Sequence, residues 1–339
     1  MRRTSPSPTQ TSPNQNNWGI IYSPNLGGNN RWKKILNYLY EKGVAFDFVQ
    51  SENNASVQRL ASMMTKQGYR TIIIVGGDAA LNYALNGIMN TESPNKEKPE
   101  LGIIPNGFGN NFAKYWNIEA ENYKQNIDNL LARRIRRIDV GRLTFTPTTI
   151  ENESSVASPN TEDSQPHPSF SSSREGVIYF INSVNIGVVA SIVNTMNHIR
   201  HIRGVHFMAY FITTFALIFR RHNFKYDFSL PGESICKKGM TLCVGSAHGY
   251  GQTPSAVPYN GMLDISLTFK PQFTKIFHGL WLLYTERFLS HKGISIWRTK
   301  HVNFHSIDNA PMSLDGRAIA APKGEFHIDI LHEKLDFLY

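Results

Sequence analysis

The sequence predicts an α/β domain with a parallel sheet, followed by a second domain that is mainly antiparallel. Its length of 339 residues is about twice that of a common single domain, so two hydrophobic cores are expected. In the first part, short apolar runs alternate with helical stretches, which is typical of a parallel sheet flanked by helices. After residue 173, strand-like runs follow one another, and only one long helical region, over residues 191–220, interrupts them. These runs are Val177–Ile181, Met240–Val244, Leu263–Phe269, Ile294–Trp297, His301–His305 and Phe326–Leu331.

Four runs in the first part are predicted as strands. They are Trp18–Tyr22, Val44–Val49, Thr71–Val75 and Leu101–Ile104. The continuously apolar ones fit burial on both faces of a sheet. Apolar residues then recur at helical spacing, which predicts a helix after each run. These helices cover Trp32–Tyr40, Val57–Met64 and Leu81–Ile88, and the fourth begins near Phe112.

Two polar segments are expected to be disordered. Met1–Asn17 consists mainly of Ser, Thr, Pro, Gln and Asn, and Pro147–Ser173 is rich in Ser, Pro and Thr. Both have too few apolar residues to form a packed core. We expect a tail and a surface insertion.

Cysteine content and hydropathy predict a cytoplasmic protein. The two cysteines, Cys236 and Cys243, do not have a zinc-site spacing, and so few in a long chain suggest a reducing compartment. No apolar segment reaches the roughly 18–20 residues that span a bilayer, the longest being Phe207–Phe219. The N-terminus has no signal-peptide core.

The charge of the chain favours anionic partners. The formal net charge is +9 and the pI about 9.4. Nucleic acid, nucleotide phosphates and an anionic membrane surface all fit this charge, and the charge alone does not choose among them.

Two glycine-rich turns are candidate phosphate sites. Gly76-Gly77-Asp78 and the segment Pro105–Asn110 each follow a predicted strand and precede a helix. Glycines let a phosphate approach the backbone, and a helix N-terminus offers free N–H groups. Each turn alone is equally well explained as a tight connection, but the pair, with Asp78 in one turn, favours a nucleotide site. The Walker, dinucleotide, zinc-protease and nucleophile-elbow motifs are absent from the sequence.

An ordered series of residues resembles the diacylglycerol kinase catalytic domain, whose superfamily also holds sphingosine kinases and bacterial lipid kinases. Gly76-Gly77-Asp78, Asn86-Gly87 and Gly102–Ala113 are similar to its patterns GGDGT…E…NG and G-I-x-P-x-G-T-x-N-D-F-A. Further matches continue in the family's order from the first predicted strand to the end of the chain. They are Ser23-Pro24…Gly27, Ile138–Gly141, Phe180–Asn182, Ile186-Gly187, Gly251, Asn260–Asp264 and Asp315-Gly316.

The resemblance implies a fold of the NAD-kinase and diacylglycerol-kinase type. In that fold a Rossmann-like α/β domain holds the nucleotide, and a C-terminal antiparallel β-sandwich closes over the lipid. The expected organisation is a tail over residues 1–17, a nucleotide domain over 18–141, and a lipid-binding domain over 142–325 with its insertion at 147–173. Residues 326–339 would return to the first domain as a strand.

The resemblance also implies a function. Such kinases use ATP and Mg²⁺ to phosphorylate a hydroxyl of a membrane lipid, here diacylglycerol-like or sphingoid. By motif position, Asp78 and Asp315 are the candidates for proton acceptor and metal ligand. The expected cofactor-binding residues are Ser23, Ser51, Gly76, Gly77, Asp78, Gly107, Phe108, Gly109, Asn110 and Arg317.

Several positions depart from the family pattern. Ala79 and Ala80 replace the last two positions of GGDGT, and if that backbone needs a left-handed conformation, alanine there costs about 1–2 kcal/mol. Carboxylates of the pattern are replaced by Tyr83, Asn111, Asn260 and Arg317, and the loop Thr by Phe108. Two hypotheses follow. Either Arg317 has taken over charge neutralisation, since a guanidinium binds phosphate bidentately, or the protein is a catalytically degenerate sensor of nucleotide or lipid.

Basic clusters favour a peripheral position on the inner face of the membrane. Arg133–Arg137 is one cluster, and Arg200–Arg203 with Arg220-Arg221 flanks the apolar run Phe207–Phe219. That run suits an interfacial helix over anionic lipid or a core helix with solvated ends, and both alternatives stay open. We expect no nucleic-acid partner, because no recognised motif occurs. A homodimer is left open. Ser191 stands near where sphingosine-type members have an acidic group, which argues against a sphingoid amine.

Overall fold

The computed structural model describes residues 17–24, 28–95, 97–107, 109–146, 176–199, 223–249, 252–269 and 293–339. It divides into two compact units, one formed by Met1–Ile138 with Glu333–Tyr339 and the other by Asp139–His332. The boundaries expected from the sequence, after residues 141 and 325, lie a few residues from these. The tail, the insertion and the apolar run Phe207–Phe219 fall outside the described residues.

The first unit is an α/β domain. Its elements are β1 (Trp18–Tyr22), α1 (Gly28–Glu41), β2 (Phe46–Gln50), α2 (Asn54–Lys66), β3 (Thr71–Gly76), α3 (Asp78–Met89), β4 (Glu100–Pro105), α4 (Asn111–Tyr115) and α5 (Tyr123–Leu131). The strands pair in parallel in the order β2-β1-β3-β4. The predicted parallel sheet is therefore confirmed, and the four predicted strands correspond to β1–β4, with β2 shifted towards its C-terminus.

Apolar side chains hold this sheet against its helices. Ile20, Tyr22, Ile73, Val75 and Ile104 of the strands form one core cluster with side chains of α1 and α5. The helix residues in the cluster are Trp32, Ile35, Tyr38, Leu39, Ile127 and Leu130. The strand β3, Thr-Ile-Ile-Ile-Val-Gly, is buried at every position, as its continuous apolar sequence predicts.

A strand from near the end of the chain completes the first unit. Phe337 and Leu338 pair in parallel with Leu101 and Gly102 of β4. The ring of Phe337 also contacts Phe112 of α4, at a centroid distance of 5.1 Å. The last residues described are therefore part of the sheet and of the packing around α4.

The second unit consists mainly of antiparallel strands. Its elements are β5 (Ile135–Phe145), β6 (Gly176–Phe180), β7 (Ser183–Gly187), α6 (Val188–Ile199), β8 (Phe224–Leu230), β9 (Glu233–Gly239), β10 (Thr241–Gly245), β11 (Leu263–Thr268), β12 (Ile294–Thr299), β13 (His301–Ser306), β14 (Met312–Leu314), β15 (Arg317–Ile319) and β16 (Phe326–Leu338). Strands β5 and β16 have residues in both units. Within the described residues, no helix is long and apolar enough to cross a membrane.

Two sheets of this unit share one core. One sheet has the order β12-β11-β10-β7-β14-β15, and the other contains β6, β5, β16, β13, β8 and β9. Apolar side chains from both belong to one buried cluster, for example Val184 and Leu242 from the first sheet and Phe228 and Phe304 from the second. The sequence-based prediction of an antiparallel second domain is confirmed.

Candidate functional site

The predicted glycine turns and serines gather at the carboxyl edge of the parallel sheet. Backbone hydrogen bonds tie them together just beyond the strand ends. The amide of Ser23 donates to Val75 O at 2.9 Å, that of Ser51 to Tyr22 O at 2.8 Å, and that of Asn106 to Gly76 O at 2.8 Å. This edge is where α/β proteins bind ligands.

Gly77 and Gly107 bring the two turns into direct backbone contact. A Cβ on Gly77 would lie 3.0 Å from Gly107 Cα, and one on Gly107 would lie 2.5 Å from Gly77 Cα. No side chain fits between them, so neither glycine shields its backbone with one. This is the property that backbone recognition of a phosphate needs.

Asp78 connects the first turn to the helix after the second. It begins α3 and is 9% exposed. Its Oδ2 accepts the Asn111 amide at 2.9 Å, and its Oδ1 accepts the Phe112 amide at 3.2 Å, so the carboxylate caps α4. Burial raises the pKa of the Asp78 carboxyl, and these two hydrogen bonds oppose that rise. The result is a carboxyl group that is a stronger base than an exposed aspartate.

The second turn is held by its own asparagine. Asn110 has the left-handed conformation, with φ 49° and ψ 42°, which asparagine tolerates better than most residues. Its Oδ1 accepts the Gly107 amide at 3.0 Å, and its Nδ2 donates to Gly107 O at 2.8 Å. A Cβ on Gly109 would lie 2.7 Å from the Asn111 side chain. Phe108, which was also predicted here, lies outside the described residues.

The two serines differ in their hydrogen bonding. Ser23 is buried and its hydroxyl is 3.4 Å from Asn54 Oδ1. The Ser51 hydroxyl, on a residue 1% exposed, has no hydrogen-bond partner in the structure described. An unpartnered buried hydroxyl costs about 1–3 kcal/mol. Ser51 is therefore a candidate for contact with a polar ligand at this edge.

Arg31 is a site residue that the sequence analysis missed. Its guanidinium donates to Pro105 O at 3.0 Å, where β4 ends, and to Ala120 O. It thus fixes the strand end that begins the second glycine turn. The sequence feature that could have identified Arg31 is its position near the start of the helix after β1, close to Ser23. A long side chain at that position can reach the end of a neighbouring strand.

Ala79 and Ala80 cause no backbone strain. Both lie in the first turn of α3, and neither is among the described residues with positive φ. Ala80 packs closely on the first turn, since a Cβ on Gly76 would lie 2.9 Å from Ala80 Cβ. The cost considered for a left-handed conformation therefore does not arise.

Asp315 lies in the second unit, in the turn of a β-hairpin. Leu314 pairs with Arg317, and the two residues between them, Asp315 and Gly316, have φ 45° and 78°. Positive φ at both positions defines a type I′ turn, for which Asp-Gly is a preferred sequence. The Asp315 carboxylate is 2% exposed and accepts three main-chain N–H groups, those of residues 181, 182 and 183, each at 2.9 Å. Asp315 therefore connects the β14–β15 turn to the β6–β7 connection.

Arg317 and Asn260 also lie in the second unit. Arg317 begins β15 and is partly exposed, on the same hairpin as Asp315. The Asn260 Oδ1 accepts the Met262 amide at 2.9 Å, and the Gly261 amide donates to Asp139 at 2.6 Å. Within the described ranges, no three His, Cys, Asp or Glu side chains are grouped so as to hold a metal ion.

Comparison with known proteins identifies two domains in the chain. Residues 17–143 match the diacylglycerol kinase catalytic domain, and residues 182–329 match the YegS C-terminal NAD kinase beta sandwich-like domain. The chain therefore contains a diacylglycerol kinase catalytic domain followed by a YegS-type C-terminal domain. The resemblance inferred from the glycine turns and the later motifs is thus confirmed, together with the fold class.

The similar proteins are distant in sequence. A diacylglycerol kinase of Staphylococcus saprophyticus subsp. saprophyticus is 30% identical over 128 residues, which cover 37% of this chain and 40% of that protein. A diacylglycerol kinase of Staphylococcus carnosus is 20% identical over 308 residues, covering 88% and 87% of the two chains. A crystal structure of a diacylglycerol kinase from Bacillus anthracis str. Sterne aligns with a TM-score of 0.61 at 13% identity, covering 96% of this chain and 97% of that one. At that identity the structural likeness concerns the fold alone.

Proposed function

We propose that this protein is an ATP- and Mg²⁺-dependent lipid kinase that transfers the γ-phosphate to a hydroxyl of a membrane lipid. The observation that carries this proposal is the backbone contact of Gly77 with Gly107 beside the buried carboxyl of Asp78. Phosphoryl transfer depends mainly on positioning and charge stabilisation, and this edge of the sheet offers both. The match of residues 17–143 to the diacylglycerol kinase catalytic domain supports the same reaction class.

The first unit fits a nucleoside triphosphate. The glycines of both turns place no side chain in front of their backbone, although the Gly107 amide already donates to Asn110 Oδ1. Helix α3 begins directly after Gly77, so its N-terminal partial positive charge faces the same place. The unpartnered hydroxyl of Ser51 provides a further hydrogen bond at this edge. These residues would hold the nucleotide, and ATP would supply the phosphoryl group.

The Asp78 carboxylate at this edge is a suitable ligand for Mg²⁺ of the kind that phosphotransferases bind. Magnesium is usually bound by about one or two carboxylates together with substrate phosphates and water, so either Asp78 or Asp315 would suffice as its protein ligand while the other accepts the proton. Asp315 is the second predicted ligand. Bound Mg²⁺ would supply neutralisation of phosphate charge.

Asp78 is the stronger candidate for the proton acceptor. Its raised pKa brings the carboxyl closer to the working pH, which suits removal of a proton from the lipid hydroxyl. Asp315 accepts three main-chain hydrogen bonds, and Asp78 accepts two together with a longer one of 3.5 Å from the Asn111 side chain, so the pKa rather than the number of hydrogen bonds favours Asp78. Arg317, on the same hairpin as Asp315, would hold phosphate oxygens through its guanidinium.

The basic cluster Arg133–Arg137 supports peripheral binding to anionic lipid. Arg133, Arg134, Arg136 and Arg137 are all exposed. Arg133 pairs with Glu100 and Arg137 with Asp336, so part of this charge is compensated within the protein. Each basic residue near an anionic surface contributes about 1 kcal/mol. Flotation with anionic and zwitterionic vesicles tests this hypothesis. Equal binding to both kinds of vesicle would argue against membrane binding through the basic cluster.

Phosphate transfer from labelled ATP to a mixed bacterial lipid extract tests the proposed function. Wild type and Asp78→Asn are compared with Mg²⁺, and Gly324→Ala serves as a folded control because Gly324 has no neighbour within 4 Å. A labelled lipid should appear with wild type and the control, and fall at least about 100-fold with Asp78→Asn. If wild type binds nucleotide but transfers nothing, the protein is a sensor and the kinase proposal fails.

A further inference from the structure

The edge strand β2 presents aromatic side chains to the surface of the first unit. It stands at the end of the order β2-β1-β3-β4, and among the described residues only β1 pairs with it. Phe48 of β2 is 47% exposed, and Tyr40 of the neighbouring helix α1 is 65% exposed. The ring of Phe46 lies 5.2 Å from that of Tyr40 and 6.3 Å from that of Phe48, between centroids. These three rings form one β2 aromatic patch.

The outer side of β2 also offers backbone hydrogen-bonding groups. The Trp18 amide donates to Ala45 O at 3.0 Å, and the Ser51 amide donates to Tyr22 O at 2.8 Å. Successive residues of a strand direct their N–H and C=O groups to opposite sides, so residues 45, 47, 49 and 51 face β1. The remaining residues of β2 direct both groups away from the sheet. They are Phe46, Phe48 and Gln50.

Strand β2 lacks the features that prevent pairing between molecules. Natural edge strands are protected by lysine, proline or a bulge, and the edge strand β9 of the second unit has exposed Lys237 and Lys238. The sequence of β2, Phe-Asp-Phe-Val-Gln, contains no lysine, arginine or proline, and its pairing with β1 is regular. Its one charged residue, Asp47, accepts a hydrogen bond from Tyr69 Oη at 2.8 Å. Such an edge favours the addition of another strand.

A second copy of β2 complements this edge in one register. In an antiparallel pair about a two-fold axis at Phe48, each Phe48 exchanges two backbone hydrogen bonds with Phe48 of the second copy. Phe46 pairs with Gln50 on either side of the axis, so all the outward N–H and C=O groups of β2 are used. Asp47 then lies opposite Val49, whereas an axis at Asp47 would put two carboxylates directly opposite, which is unfavourable. The charge and the hydrogen-bond pattern therefore select the same register.

We propose that two copies of this chain associate through β2, with the strands antiparallel about a two-fold axis at Phe48 and the β2 aromatic patches in contact across it. Aromatic residues are enriched in protein interfaces, and aromatic pairs between strands are stabilising. A covered aromatic ring buries about 150–250 Å², so the exposed parts of the patch provide roughly 300 Å² on each copy. Since a standard interface buries about 800 Å² on each partner, we expect a dissociation constant on the order of 10 μM.

Sedimentation velocity of the full chain, without nucleotide or lipid, tests this self-association. Wild type should shift from the 38.4 kDa monomer towards a dimer between about 1 and 100 μM. Phe48→Lys and Phe48→Glu should each weaken the dimer at least about tenfold, because each puts like charges directly opposite. An equimolar mixture of these two variants should associate at least about tenfold more tightly than either alone, since the facing charges are then opposite. Met63→Lys, at a 48% exposed position of α2, should behave as wild type.

Gln50→Pro tests the backbone part of the contact. Gln50 is exposed and its N–H faces away from β1, so proline removes a donor that only the second copy uses. This variant should also weaken the dimer at least about tenfold. Thermal melting at about 1 μM, where the monomer predominates, checks the fold of each variant, and Gln50→Pro replaces a Phe48 variant that does not fold.

Three results would overturn the proposal. They are a wild type that stays monomeric at about 100 μM, a dimer that Phe48→Lys and Gln50→Pro leave unchanged, and a mixture of the charge variants that associates no better than either alone. Lipid phosphorylation by a monomeric wild type would retain the kinase and reject the dimer. A dimer with the expected variant effects but without phosphorylation would retain the interface and reject the kinase.

Discussion

Gly77 and Gly107 meet backbone to backbone, so closely that a methyl group on Gly107 would lie 2.5 Å from the Cα atom of Gly77. This contact joins the turn after β3 to the turn after β4 and leaves no room for a side chain on either. The geometry of the proposed phosphate site therefore depends on two residues that have no functional group.

Gly107→Ala should disturb both turns. We expect a loss of about 1–3 kcal/mol of unfolding free energy from overpacking, together with loss of nucleotide binding, because the new methyl group pushes the turns apart. Urea unfolding and nucleotide titration measure the two effects. The matched control is Gly324→Ala, which meets no neighbour and should match wild type in both. Unchanged nucleotide affinity in Gly107→Ala would show that the turns do not bind phosphate.

The buried carboxyl of Asp78 should make stability depend on pH. Because its pKa is raised in the folded state, the folded protein binds the proton more tightly than the unfolded chain. Its contribution to stability is therefore fully present below the unfolded pKa of about 4 and is lost as the pH rises through the folded value. The unfolding free energy of wild type minus that of Asp78→Asn should fall as the pH increases above about 4. A difference that grows with pH would contradict the raised pKa.

Asp315 should contribute to stability whether or not it takes part in catalysis. Asp315→Ala removes the acceptor of three main-chain N–H groups and puts alanine in a left-handed turn, so we expect a loss of at least about 2 kcal/mol. Asp315→Asn keeps the turn and part of the acceptor capacity and should lose less. Chemical denaturation with a parallel transfer assay separates the roles. Asp315→Asn with near wild-type stability but no transfer would identify a catalytic residue, and parallel losses would indicate a structural one.

The two cysteines should differ sharply in reactivity. Burial raises the pKa of the Cys243 thiol to about 12, whereas Cys236 is exposed on β9. Because the thiolate is the reactive form, Ellman's reagent should modify Cys236 alone in the native protein and both thiols after denaturation. Cys236→Ser should be unreactive until it unfolds. Rapid modification of the native variant would mean that Cys243 becomes exposed.

Much of the first unit could be predicted because its strands are buried on both faces. Thr71–Val75 and Leu101–Ile104 are largely apolar and are followed by glycine turns. The apolar run and the turn after it therefore indicate the same strand end. The edge strand β2 was placed less well. It has exposed positions, and Phe48 is 47% exposed, so its polar and apolar residues mark its limits poorly.

The second unit was less predictable because its strands are short or half-exposed. Strands β14 and β15 have three residues each, and β8 and β9 mix charged with apolar residues. The Asp315-Gly316 pair was interpreted by its motif position, although the same dipeptide is a hairpin signal in its own right. Its three main-chain hydrogen bonds come from residues 181–183, which are far away in sequence, and no local pattern predicts such a contact.

The site itself was predicted as a set of residues but not as an arrangement. Glycine and asparagine at the strand ends indicated the turns. The capping of α4 by Asp78, the closure of the second turn by Asn110 and the unpartnered hydroxyl of Ser51 depend on three-dimensional distances between separate elements. Arg31 shows the same limit, since its partners Pro105 and Ala120 follow it by a long stretch of chain.

The pairing of β16 with β4 has a consequence for the order in which the protein is made. Strand β4 needs Phe337 and Leu338 on its outer side, and these residues are synthesised about two hundred residues after the rest of the first unit. During synthesis, the edge of β4 that faces away from β3 therefore stays unpaired until the whole second unit has emerged from the ribosome. Such an edge is prone to pair with other chains. The nucleotide domain can therefore be completed only after the second unit has been synthesised.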